Sequence, residues 1–545
     1  MHATSRISMA FLLLILISPV WAAHLVFRIR RSIHFIRQFH RWTLLFMMTA
    51  LVGLLFTISY THRYLVTSYR YILAGVNGNP TKKLASVHIN PRQPSLAIPA
   101  TFLGFSHEWG GAQIFMGSPS TGTNPIYRQL VKNLFAYGAG PLIVRVGGGS
   151  TDTSAAPTAG EVDAFAQLYH DVGAKFYLGV NLGSNNVNLA TDQAQFYAQH
   201  MPAGSLLGME IGNEVDDYQF NGIRSSAYAF NNFLSEWRRW QTAINIPVIA
   251  PGTKFMGPSF GGQVPWVWTS KYLTEFVSSV SGNLNTVSQH WYAGSHCGAN
   301  SNPPDYLLQP QASKNGMQAI NFAVAPVHGA GLSLRMGEMN SIVCSGEPGV
   351  SDTFASALWT IDTMFELASA GVDGVNFHMD LDDFYGAFLF NVNTSTTPHT
   401  YTINVIRPEY YGMLFFQQAA ANGAKLLPVT VSTSANLKIW ATVDNTKRVR
   451  IALINKDKGA NVTATIHLSG YRTGMLTRLL ASGYQAKTGI TLAGQTFDSS
   501  KDGTPQGTPK SESVSPRAGH YWIPMPPTSA ALLTVEVSKL PNDLR

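Results

Sequence analysis

From about residue 100 the chain alternates short apolar, β-rich runs with Gly/Asn/Ser-rich loops and amphipathic stretches of helical period. The runs at 101–107, 141–148, 174–182, 206–214, 246–253, 286–293, 332–340 and 371–379 read as strands buried on both faces. Helices are expected between them, including Tyr228 to Ala243, with Trp237 and Trp240 on one face, and Thr353 to Ala370. Eight such units over about 300 residues predict an α/β fold closed into a (β/α)8 TIM barrel. An open doubly wound sheet is the runner-up, but no G-x-G-x-x-G follows the first run.

After Arg407 the period changes to two. PVTVST, LKIWATV, RVRIALIN, VTATIHL, GMLTRLL and AALLTVEV alternate apolar and polar positions between Gly/Asn/Ser turns, with no helix expected after Gln418. This predicts an appended antiparallel β-sandwich. The expected organisation is a hydrophobic leader (1–75), an extended segment joining the sandwich (76–100), a catalytic barrel (101–406) and the sandwich (407–540).

Composition adds a compartment. Residues 1–70 hold eight Arg and no Lys, Asp or Glu; removing them from the 38 basic residues leaves 30 against 30 acidic ones. The net charge of +8 therefore belongs to the leader, not to a groove for acidic polymers. Its apolar runs at 8–23 and 43–60 read as a signal-peptide core and a bilayer-length segment, with Arg28, Arg30, Arg31, Arg37 and Arg41 between them. A type II-like signal anchor and a cleaved signal peptide both fit, and both put the enzyme outside the cell, secreted or at the surface. Sequons at Asn393 and Asn461 mark candidate glycosylation sites. The two cysteines, Cys297 and Cys344, are an even pair that an oxidising compartment can join or two unrelated thiols.

Barrel enzymes carry their reactive groups where strands meet loops. Glu214 ends the fourth run, after Asn213, and Glu338 lies near the end of the seventh. A single glutamate in such a place is more often a loop brace. Two of them on strands facing one another across a barrel are the carboxyl pair that glycoside hydrolysis needs. A buried general acid also gains the raised pKa it requires.

The strings FLGFSHEW, VRVGGGSTD, IGNEVDDY, QHWYAGSHC, GEMNSIVC and GVSDTFASALW followed by ASAGVDGVNFH resemble glycoside hydrolase family 79, the β-glucuronidase and heparanase family, from about residue 85 to 537. The resemblance implies that Glu214 is the acid/base, Glu338 the nucleophile, and Asn213 a contact to the sugar 2-hydroxyl. Val215 departs from the family, where Pro often follows the acid/base; the chemistry is untouched. Tyr292 is similar to the tyrosine that bonds the nucleophile, with Arg145 and His290 supporting. A uronic carboxylate would meet backbone N–H groups at Ser345 and Gly346 and the phenol of Tyr385. Glu108, Ser150 and Thr151 resemble residues that bind the other hydroxyls. With the cysteines on the loops after strands six and seven, a Cys297–Cys344 bridge would fix the uronate loop.

The implied activity is retaining, exo-acting β-glucuronidase, releasing terminal glucuronic or 4-O-methylglucuronic acid from a glycan or glycoconjugate. A heparanase-like endo-enzyme, a neutral-sugar glycosidase of the same clan and a non-catalytic carbohydrate-binding wall protein are the alternatives. Metal and cofactor chemistry are not expected, since the histidines lack ligand spacing and no Walker motif, nucleotide fingerprint or G-x-S-x-G elbow occurs. Nucleic acid is not an expected partner.

Overall fold

The computed structural model describes residues 81–537, apart from 156 and 263–266. Both apolar runs of the leader lie outside the described residues. Among the described residues no helix is long and apolar enough to cross a membrane.

Eight strands close a barrel: Leu103–Glu108, Ile143–Gly147, Lys175–Val180, Leu206–Ile211, Lys254–Phe260, Leu284–Ser295, Ser333–Val343 and Gly374–Met379. Neighbours pair in parallel, and the eighth strand returns to the first through Val375 opposite Leu103. Most of their side chains are buried, as the continuous apolar runs require.

The fifth run is a correction. Residues 246–249 form one helical turn with Pro247 near its start, and the strand is Lys254–Phe260 instead. Gly257-Pro258 in its middle reads as a strand breaker. The structure explains the glycine: a Cβ there would stand 2.5 Å from the Trp237 indole. Register shifts on either side of Pro258 absorb the missing donor. Trp237 belongs to the helix Phe230–Ile244, which buries Phe230, Phe233, Leu234, Trp237, Trp240 and Ile244 at helical spacing.

Helix Phe354–Ala370 is buried nearly all round, because it lies between the barrel and the β domain. Its Asp362 accepts from Lys456 Nζ at 2.6 Å and from Trp440 Nε1 at 3.0 Å, and Lys438 meets Glu366 at 2.6 Å. Burial raises the Asp362 pKa, but Lys456 and Lys438 outweigh it and hold the carboxylate ionised. These ion pairs fix the β domain to the barrel.

The β domain packs two sheets. One orders Val429–Thr433, Thr81–Ile89, Ala460–His467 and His520–Met525; the other is built on Leu437–Val443, Val449–Asn455, Ser529–Val535 and Gly474–Leu480. Val87, Ile451, Leu453, Ile466, Tyr521 and Leu533 fill the space between them. Pairing is antiparallel throughout these two sheets except where Thr81–Ile89 runs parallel to Ala460–His467. His520–Met525 and the hairpin Phe388–Asn393/Thr400–Ile406 are strands without an expected counterpart. Pro524 disguises the first of these.

Candidate active site

Arg145, on the second strand, is wholly buried at the centre of the barrel mouth. Its Nε donates to Glu210 Oε2 at 2.6 Å, Nη1 to Glu338 Oε2 at 2.6 Å and Ser106 Oγ at 3.1 Å, and Nη2 to Asn213 Oδ1 at 2.7 Å. Guanidinium is a donor only, so the Asn213 oxygen must face it and the amide NH2 is left to point elsewhere. Tyr292 OH donates to the other oxygen of Glu338 at 2.8 Å. Glu338 is thus gripped on both oxygens.

Glu338 lies inside the seventh strand, Ser333–Val343, rather than at its end. A register shift between Met336 and Glu338 turns it towards the mouth. Glu214 lies beyond its strand, which stops at Ile211, and takes the left-handed conformation at φ 47°, ψ 49°. A non-glycine residue held there costs about 1–2 kcal/mol, and such strain collects at functional sites. The turn is clamped by the Glu214 N–H on Ser259 O at 2.9 Å and by Asp216, which accepts from Gly261 N–H at 2.8 Å.

The two glutamates sit in opposite electrostatic settings. Burial raises both. At Glu338, however, His378, His290, Arg145 and the Tyr292 hydroxyl outweigh burial and hold the carboxyl well below its ordinary range. At Glu214 burial and then the Glu338 charge push the pKa well up, against a weaker pull from Arg145. His290 Nδ1 lies 3.0 Å from Glu214 Oε1, and burial lowers this imidazole to about 4, so it is neutral. Ligand atoms of Glu214, His290 and Glu338 lie within 4.8 Å of one another. A metal ion at that point would be opposed by the Arg145 guanidinium, which already neutralises Glu338.

Residues 439–532 match the glycosyl hydrolase family 79 C-terminal beta domain. A curated relative from Aspergillus niger, named beta-glucuronidase, is 25% identical over 519 residues, covering 82% of this chain and 92% of its own. A second beta-glucuronidase, from Neurospora crassa, is 22% identical and covers 70% of this chain and 76% of its own. The chain carries the family 79 C-terminal beta domain and resembles beta-glucuronidases over most of its length. Its fold is shared with the crystal structure of a 4-O-alpha-L-rhamnosyl-beta-D-glucuronidase from Fusarium oxysporum, with TM-score 0.67, 20% identity, and coverage of 82% of this chain and 100% of that one. A GH51 arabinofuranosidase from Xanthomonas axonopodis shares it less closely, with TM-score 0.60, 14% identity, and coverage of 84% and 100%.

The loop after the seventh strand is tightly built. Cys344, Ser345 and Gly346 follow one another at φ 66°, 64° and 78°. Cys344 is joined to Cys297 by a disulfide, tying the loop to the one after strand six. Phe384 N–H donates to Ser345 O at 2.7 Å, docking the loop on the segment that carries Tyr385. The buried Tyr385 ring stands 6.0 Å from Tyr292 and 6.1 Å from His378. Gly346 is a partial correction: its N–H is committed to Ile342 O at 3.1 Å, whereas no acceptor among the described residues pairs with the Ser345 N–H. The glycine is needed for space, since a Cβ would come 2.9 Å from Tyr385 N.

Glu108 accepts from the N–H groups of Gly149 at 3.0 Å and Ser150 at 2.8 Å, and from the Ser150 hydroxyl. It braces the loop after strand two and remains partly exposed. Thr151 Oγ is buried, with no partner among the described residues.

Three contributors escape the sequence reading. Glu210, fully buried, shares Arg145 with Glu338 and accepts from the Ser259 hydroxyl. Ser106 supports Arg145. His378 has Nδ1 3.6 Å from Glu338 Oε2 and 3.3 Å from Ser106 Oγ, with Nε2 3.9 Å from Glu108. A charged or imidazole side chain in the middle of an otherwise apolar strand was the available signal for Glu210 and His378.

Proposed function

We propose that the protein is a retaining exo-β-glucuronidase, releasing terminal glucuronic or 4-O-methylglucuronic acid with Glu214 as acid/base and Glu338 as nucleophile. One observation carries this division of roles. Arg145 bonds directly to Glu210 and Glu338, leaving Glu214 as the carboxyl that meets only the neutral His290. Beside a carboxylate already paired with the cation, the carboxyl without direct cation contact keeps the proton.

In the first step Glu338 Oε attacks the anomeric carbon while Glu214 transfers its proton to the glycosidic oxygen. The bond to the leaving group breaks as the glycosyl ester forms. In the second step Glu214, now a carboxylate, takes a proton from water; the hydroxide displaces Glu338 and the configuration is retained. The close approach of the two carboxyls supports direct attack over an intervening water, which needs about 6.5–9.5 Å between them. His290 occupies one Glu214 oxygen and leaves the other for the glycosidic oxygen. Asn213, turned by Arg145, offers its NH2 to the neighbouring sugar hydroxyl.

The names of the curated relatives and the Tyr385–Ser345 wall support a uronate substrate. A phenol and a backbone N–H bind a carboxylate without a further arginine. The charge balance outside the leader supports a small terminal glycoside over a sulfated polymer. The disulfide supports an exported, oxidising location.

The test is hydrolysis of p-nitrophenyl β-glucuronide and β-glucoside, with Glu214→Gln and Glu338→Gln alongside. Wild-type preference for the glucuronide, first-formed β-anomer by NMR, and loss of several orders of magnitude in both variants are expected. Equal rates on both sugars favour the neutral-sugar reading. Turnover by Glu338→Gln close to wild type overturns the mechanism.

A further inference from the structure

The turn that carries Tyr385 is closed by two side chains that the reaction steps do not use. Met379 ends the eighth strand, and Asp380 to Gly386 make the turn. The Asp383 carboxyl is buried and folds back on it. Its Oδ2 accepts from the Asp380 N–H at 2.7 Å, and its Oδ1 from the Gly386 N–H at 2.7 Å and from Arg407 Nη1 at 3.2 Å. The same guanidinium crosses the turn, donating from Nη1 to Gly386 O at 2.7 Å and from Nη2 to Asp383 O at 2.5 Å. Asp383 and Gly386 are each held twice over, and only Phe384 and Tyr385 lie between them.

Among the described residues neither side chain makes a hydrogen bond anywhere else, so the whole pair is committed to this turn. Taking two charges out of water is costly, and a buried ion pair is a weak source of stability. Its bonds fix the backbone on either side of Tyr385 instead. Arg407 is itself anchored: its N–H bonds Ala387 O at 2.9 Å, and it directly precedes the helix Pro408–Ala419, which is buried along most of its length. Gly386 leaves room for the carboxyl, since a Cβ there would stand 2.6 Å from Asp383 Oδ1. Burial pushes the Asp383 carboxyl up to about 6 against the pull of Arg407, so at neutral pH it is ionised and accepts all three donors. The neighbouring Phe384 N–H then reaches Ser345 O at 2.7 Å, which seats the turn on the loop after the seventh strand.

We propose that Asp383 and Arg407 are positioning residues for uronate recognition, holding the Tyr385 phenol in the wall that receives the sugar carboxylate; the inference rests on the uronate reading above. Neither touches the substrate. They set the sugar preference by fixing the turn before substrate binds, so that the phenol is not left to find its place at the cost of binding energy.

The experiment is steady-state kinetics of the full chain at neutral pH on p-nitrophenyl β-glucuronide and β-glucoside, comparing wild type, Arg407→Lys, Tyr385→Phe and the double variant. Arg407→Lys keeps the charge, but an ammonium lacks the planar fork that spans Asp383 and Gly386. The expected result is a rise of about tenfold in KM for the glucuronide, with kcat changed by less than about threefold and glucoside hydrolysis within about twofold of wild type. In the Tyr385→Phe background the same substitution adds less than about twofold, because a residue that acts through the phenol has nothing left to place. Asp383→Asn, whose amide NH2 would face a donor, reproduces the KM shift where circular dichroism remains native. Equal losses on both sugars, a full Arg407→Lys effect on top of Tyr385→Phe, or wild-type kinetics in Arg407→Lys overturns the proposal. A wild type with no preference for the glucuronide defeats the uronate reading and this inference with it, whereas a clear preference with equal losses on both sugars defeats this inference alone.

Discussion

Arg145 and Glu338 form a buried ion pair, Nη1 to Oε2 at 2.6 Å, and the same guanidinium reaches Glu210 at 2.6 Å. The pair sets the charge state of the whole barrel mouth. With Glu338 held ionised beside that cation, a further negative charge on Glu214 is disfavoured, and burial and the Glu338 charge keep the Glu214 carboxyl protonated.

Arg145→Lys therefore abolishes more than a charge. An ammonium cannot bond Glu210, Glu338 and Asn213 together, because it lacks the planar fork. A fall in kcat of about 10²-fold or more is expected, and Arg145→Met should also destabilise by about 3–5 kcal/mol by leaving buried carboxylates unpaired. Steady-state kinetics and urea unfolding test these outcomes; near-wild-type stability in Arg145→Met would contradict the buried network.

Tyr292→Phe removes a charge-assisted hydrogen bond worth about 1.5–3 kcal/mol. The expected loss in kcat is about 10- to 100-fold. Tyr292 lowers the Glu338 pKa, so its removal moves the acidic limb of the pH–rate profile upward. An unshifted limb would assign Tyr292 a packing role only.

Glu214 and Glu338 have opposite linkage to stability. The folded pKa of Glu214 is raised, so its contribution is present below the unfolded value and is lost as pH rises through the folded one. Glu214→Gln removes that penalty, and its melting temperature should exceed wild type by a margin that grows between about pH 5 and pH 8. The folded pKa of Glu338 is depressed, so its contribution is present above the unfolded value and is lost as pH falls through the folded one. Glu338→Gln should therefore melt below wild type at neutral pH, with the gap closing on acidification.

Opening the Cys297–Cys344 bridge should act first on the loop it holds. Three successive left-handed residues at 344–346 rely on that anchor to keep Ser345 docked on the segment that carries Tyr385. The Cys297→Ser, Cys344→Ser double variant should raise KM for p-nitrophenyl glucuronide several-fold at temperatures where circular dichroism remains native. Unchanged kinetics would remove the loop from substrate binding.

Tyr385→Phe separates uronate recognition from catalysis. Loss of the phenol should lower kcat/KM for the glucuronide by about 10-fold or more, and leave the glucoside rate nearly unchanged. Parallel losses on both sugars would show that the ring serves the site by packing against Tyr292 and His378 instead.

The period of the apolar runs determined the barrel and the β domain, because a strand buried on both faces and a strand buried on one leave different patterns in the chain. It also placed Glu214, Glu338, Asn213, Tyr292 and Arg145 at strand ends or on strands that share one mouth. Strand five was hidden, since Gly257 answers to the Trp237 indole and has no local meaning. Tertiary structure alone decided the rest: the left-handed turn at Glu214, the Gly346 N–H spent on Ile342, and the closure of the Tyr385 turn by Asp383 and Arg407. Glu210 and His378 became part of the site only once Arg145 and Glu338 were brought beside them. The reason is range. Periodicity records which way each side chain points, whereas protonation and strain depend on neighbours hundreds of residues away, such as the one that joins Arg145 to Glu338 across 193 positions.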